Sequence, residues 1–131
     1  MNKLTLELAL VFAGGGTGAM ARYLVGMQTL HLFGSGWPYG TFTVNVVGGL
    51  LMGTLIGFLA HRGGIDQDRW RVLLGVGVLG GFTTFSAFSL EVALMIERRT
   101  YLNAAGYVTA SVVIAIAALF LGLILARQVF A

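Results

Sequence analysis

The chain concentrates its polar chemistry in one run, GVGVLGGFTTFSAFSLE, residues 75–91. Gly75, Gly77, Gly80 and Gly81 weaken a helix. Thr83, Thr84, Ser86 and Ser89 follow, interleaved with Phe82, Phe85 and Phe88. A break at Gly80–Gly81 would turn main-chain carbonyls toward a cation and amide N–H groups toward an anion. A Gly-rich helix packed closely on a neighbour accounts for the same spacing. The phenylalanines recur every three residues and share roughly one face. An aromatic ring has a positive edge, so a pair of edges can hold a small anion weakly enough to let it go, as conduction requires. Ordinary packing by Phe is the other reading.

Polar residues inside apolar runs are costly and informative. Asn45 lies about five residues into an apolar stretch, with amide donors and an acceptor to offer; interhelical glue is its alternative role. Arg22 is the one cation inside an apolar run, suited either to attract anions or to snorkel to the interface as an anchor. Tyr107 and Ser111 are four apart and share a face, with Thr109 nearby, as a source of hydroxyls. Glu91 reads as a helix-end carboxylate or as the partner of a basic group. There is no cysteine, hence no disulfide or thiolate site. The sequence has no Cys/His cluster, carboxylate pair or Ser/His/Asp arrangement, and His31 and His61 sit at segment ends. An enzyme is not expected.

The elements that must position these residues follow from hydropathy. Of 131 residues, 57% are hydrophobic and 10% charged, against about 25% charged in soluble domains. A membrane span needs about 20 mostly apolar residues. Four segments qualify, at about Leu6 to Gly26, Thr41 to Ala60, Val72 to Met95 and Leu102 to Ala126. A single all-α domain over residues 1–131 is expected, with the first segment retained rather than cleaved as a signal peptide. The connection LHLFGSGWPYG carries the only proline and interfacial aromatics; HRGGIDQDRWR is strongly charged, and ERRTYLN is short. Lys3, Arg62, Arg69, Arg71 and Arg127 fall on one side of the bilayer, and Arg98, Arg99 and the end-lying Arg22 on the other, a weak bias under the positive-inside rule. The net charge of +3 is scattered and gives no nucleic-acid surface. Gly14, Gly18, Arg22 and Gly26 form one stripe, Gly49, Gly53 and Gly57 another, and Ala110, Ala118 and Gly122 a third, allowing close helix approach. Four helices enclose little room for a watery route, so a homodimer is expected.

GGFTTFSAFSLE, together with GGGTGAMARY around Arg22 and GTFTVNVVGG around Asn45, resembles in order and spacing the CrcB/Fluc family of fluoride channels. The resemblance spans all four helices. It implies an antiparallel, dual-topology homodimer in the bacterial inner membrane, with a broken third helix and passive export of fluoride. It implies that Phe85 and Phe88 meet fluoride with their ring edges, that Asn45 donates from the second helix, and that Ser86, Tyr107 and Ser111 add hydroxyls to the path. It implies that the carbonyls of Gly80 and Thr83 hold a structural sodium at the dimer interface and that Arg22 lines a vestibule. The family pattern commonly reads FSTFS where this chain reads FSAFS, so Ala87 removes one hydroxyl from the polar track. The alternatives are a small multidrug-type transporter, whose chemistry needs a carboxylate at mid-membrane, and a non-transporting membrane scaffold.

Overall fold

The computed structural model of the chain describes residues 1–64 and 66–130. Helix α1 spans Lys3–Phe33 and α2 spans Tyr39–Arg62. Helix α3, residues 67–82, starts at Gln67–Trp70, winds as a π-helix through Arg71–Leu79 and closes with Gly80–Phe82. Helix α4 is Phe85–Glu97 and α5 is Tyr101–Phe130. Each expected span is present, and all four run beyond the apolar segments that announce them. The 31 residues of α1 extend about 46 Å, more than the ~30 Å hydrocarbon core, so the ends reach the headgroup region. Among the described residues every element is helical, as a bilayer demands of a backbone with no water to bond.

Glycine decides how the helices pair. On α2, a Cβ on Gly49 would sit 2.7 Å from the Ala115 carbonyl oxygen and one on Gly57 2.6 Å from the Ala126 Cβ. Gly122 of α5 lies as closely on Leu50 and Thr54. The two helices therefore run together backbone to backbone, where dispersion rather than hydrophobicity supplies the attraction. Helices α1 and α3 meet in the same way, Gly14 against Gly77 and Gly18 against Val78 and Phe82. The stripes at Gly14 and Gly18 and at Gly49, Gly53 and Gly57 are thus packing surfaces. Large apolar side chains point outward, Phe12 at 85% exposure and Leu102 at 89%, as expected for surfaces that meet lipid or another protein rather than water.

The third span breaks one turn later than Gly80–Gly81. Gly80 is helical, at φ −62° and ψ −39°. The chain leaves the helix at Thr83 (φ −87°, ψ 160°) and Thr84 (φ −153°, ψ 121°). Close packing explains the helical glycine that follows: a Cβ on Gly81 would run into the Gly15 carbonyl and lie 3.1 Å from the Ala19 amide. The β-branched threonines favour extended backbone, and Thr84 serves as N-cap of α4, its Oγ1 accepting from the Ala87 N–H at 3.1 Å.

Candidate functional site

Two side chains from other helices grip the break. Asn45 of α2 pairs with the Thr84 backbone in both senses: its Nδ2 donates to the Thr84 carbonyl at 3.0 Å, and its Oδ1 accepts from the Thr84 N–H at 2.8 Å. The amide thus does for the extended residue what a neighbouring strand would do, satisfying main-chain groups that hydrocarbon cannot. Arg22 of α1 donates from Nε to the Gly81 carbonyl at 3.0 Å.

The break also releases carbonyls. In a continuous helix the N–H of Thr84 would serve Gly80 and that of Ala87 would serve Thr83. Here the first goes to Asn45 and the second to the Thr84 hydroxyl. The carbonyls of Gly80 and Thr83 are therefore freed from the helical ladder. Oxygen donors of this kind suit a hard cation, which fits the sodium expected on these two residues.

Beside the break, Asn45, Thr83, Thr84, Phe85, Phe88, Ser111, Val112 and Ala115 line a cleft of about 260 Å³. Phe85 is 79% exposed, whereas Phe88 is buried, and the two ring centroids are 5.7 Å apart with planes tilted by 42°. Ser111 is buried, and its hydroxyl has no hydrogen-bond partner among the described residues. A buried polar atom without a partner is uncommon and costly, and this one belongs to the wall of the cleft.

Four of the residues expected on the fluoride path, Asn45, Phe85, Phe88 and Ser111, thus share this cleft with Thr83 and Thr84. Ser86 is exposed and does not line it; its hydroxyl lies 3.3 Å from Thr84 Oγ1, at the edge. Tyr107 stands behind Phe88, fully buried, with ring centroids 5.1 Å apart. Its hydroxyl donates to Glu91 Oε2 at 2.7 Å, while Thr41 donates to Glu91 Oε1. Glu91 therefore has hydroxyl partners rather than a basic one. Neither Thr41 nor this pairing emerges from sequence reasoning; the available signal was the carboxylate itself, since a charge in an apolar span needs partners. Thr41 and Glu91 help line a second, larger recess of about 470 Å³, whose lining also includes Trp37, Arg98 and Asn103. Phe88 of the cleft packs on Tyr107, whose hydroxyl bonds Glu91 of the recess.

Comparison with known proteins bears on this arrangement. The family model described as CrcB-like protein, Camphor Resistance (CrcB) matches residues 9–123. A "Fluoride-specific ion channel FluC" of Caulobacter sp. (strain K31) is 66% identical over 124 residues, covering 95% of this chain and 97% of that protein. The protein of the same name in Phenylobacterium zucineum (strain HLK1) is 67% identical over 124 residues, with 95% and 98% covered. Its namesake in Caulobacter vibrioides (strain NA1000 / CB15N) is 64% identical over 131 residues, with both chains fully covered.

Proposed function

This chain belongs to the CrcB-like family, and from that premise we propose that it is a fluoride-specific ion channel of the bacterial inner membrane, crossing it with four helices. The observation that carries the reading is the cleft at the broken third span, where an amide, a buried hydroxyl without a partner among the described residues and two phenylalanines converge. Fluoride is a small, strongly hydrated anion. To cross, it must exchange water for donors that hold it without trapping it. The second N–H of Asn45 and the Ser111 hydroxyl are neutral donors, and the Phe85 and Phe88 rings offer positive edges. None carries a full charge, so release stays easy. Beyond Phe88, Tyr107 and Thr41 both donate their hydroxyl protons to Glu91, which with Thr41 lines the larger recess.

The function is passive export. Fluoride enters a cell as the neutral weak acid, ionises in the cytoplasm and is driven outward through an open channel by the membrane potential. The cleft is open on one side, with Phe85 facing out of the protein. A second, antiparallel copy closing that side would complete the path and generate two of them by symmetry. Dual topology agrees with the weak bias of Lys/Arg across the bilayer. The Gly80 and Thr83 carbonyls of each copy would then hold a structural sodium ion at the dimer interface. When bound, the ion would supply positive charge that ties the two breaks together.

Liposomes containing purified protein and loaded with potassium fluoride test this reading. A fluoride electrode should register rapid efflux once valinomycin dissipates the opposing voltage. Efflux no faster than from protein-free vesicles would remove the channel reading and leave the scaffold.

A further inference from the structure

We infer that Arg22 is a positioning residue for the permeation route: by taking the Gly81 carbonyl, it fixes where the second half of the third span begins. Three observations carry this. First, Gly14, Gly18 and Arg22 lie at four-residue spacing on one face of α1. The first two let α1 descend onto α3 until a Cβ on Gly14 would sit 2.9 Å from the Val78 amide nitrogen. The next residue along that stripe is delivered to the end of α3.

Second, the bond is directional. The Nε donates to Gly81, at 3.0 Å and 59 residues away, rather than to a carboxylate. Among the described residues the ion pairs are Lys3–Glu7 and Asp66–Arg69, both at 3.9 Å. The charge of Arg22 is thus met by the negative end of the α3 dipole, a favourable place for a cation and one that keeps a partly buried guanidinium inside a span.

Third, the bonding of the break is divided. The Phe85 N–H is the group that would serve Gly81 in a continuous helix. With Arg22 on that carbonyl, α3 has no need to continue as a helix to satisfy it. Thr84 is then held by Asn45, and Phe85 starts α4 at the cleft. Arg22 and Asn45 grip the two sides of the same three-residue step. Arg22 is not among the residues that line the cleft and bonds a main-chain carbonyl, so its effect on the ion is exerted through the backbone.

The link to flux rests on the fluoride-channel reading; the effect on the backbone does not. The test compares wild type, Arg22→Gln and Arg22→Lys as full-length purified protein. Two readouts are used: amide hydrogen exchange over residues 80–90, and fluoride efflux from liposomes. Arg22→Gln should speed exchange of the Phe85, Ser86 and Ala87 amides at least about tenfold, with helices α2 and α5 unchanged. It should slow fluoride efflux by a similar factor. Arg22→Lys keeps the charge and a donor, and should restore part of both. Exchange at residues 85–87 that is unchanged in Arg22→Gln, or changed equally throughout the protein, overturns the inference. So does an Arg22→Lys variant no better than Arg22→Gln. If wild type carries no fluoride, the channel reading fails, and the exchange comparison alone decides the role of Arg22.

Discussion

Replacing Asn45 by leucine keeps the branching at Cγ and removes both bonds to Thr84. The Thr84 N–H and carbonyl, now held at 2.8 and 3.0 Å, would lose their partners in a partly buried site. An unsatisfied buried group costs about 1–3 kcal/mol, so the two together suggest ~2–6 kcal/mol. Membrane interiors soften such losses, because the reference state also finds partners, and measured interhelical bonds there average about 0.6 kcal/mol. A cost of ~2 kcal/mol for the broken geometry is therefore expected, or about 30-fold in its population. The Asn45→Leu variant should insert and purify, because the α2–α5 seam around Gly49, Gly53 and Gly57 does not involve Asn45. Its fluoride efflux, followed by electrode, should fall by at least about tenfold, and its midpoint in denaturing detergent should drop. Thr17→Val is the control. Thr17 is exposed and bonds only its own helix, at the Ala13 carbonyl, so a change within about 0.5 kcal/mol and unaltered flux are expected. Wild-type flux from Asn45→Leu would refute the claim that this amide shapes the route.

Phe85 and Phe88 should separate by assay. Phe88→Ala removes a buried ring packed on Tyr107 and should cost about 3–5 kcal/mol in a detergent unfolding titration, whereas Phe85→Ala, at a site 79% exposed, should leave that midpoint nearly unmoved; both should reduce fluoride efflux. Glu91→Gln puts an amide where the Tyr107 and Thr41 hydroxyls both donate; reorienting one of them should slow efflux about tenfold while the protein remains folded by circular dichroism. Gly53→Leu thrusts a side chain into the Leu119 carbonyl and the Leu123 amide and should abolish a monodisperse peak in size exclusion. Gly106→Ala meets nothing within 4 Å and should raise the unfolding free energy in a detergent titration by up to ~1 kcal/mol through helix propensity.

Much of the fold is legible in the sequence because a bilayer leaves few options. Twenty mostly apolar residues read as a span, and glycines at four-residue spacing allow close approach on one face. The Gly14–Gly18 and Gly49–Gly53–Gly57 stripes do so. The interruption in the third span is legible too, but its position is not. Glycine looks like the weak point, yet Gly80 and Gly81 stay helical, Gly81 packed on Gly15 and Ala19 of α1, and the threonines after them open. Partners of the polar residues are the least legible. Thr41 and Glu91 are 50 positions apart, and Arg22 and Gly81 are 59 apart. Such pairs are made by helix placement, which a single sequence does not encode locally. Ser86 shows the same limit from the other direction: it sits within the polar run, but the first turn of α4 carries it out of the cleft lining.

The most direct measurement is ionic current through the purified protein in a planar bilayer, with equal potassium chloride on both sides and a tenfold gradient of potassium fluoride. The expected record shows conductance that requires the protein and reverses near the fluoride equilibrium potential. A membrane no more conductive than one without protein, or a current that follows chloride, would contradict a fluoride path at the Thr83–Thr84 break.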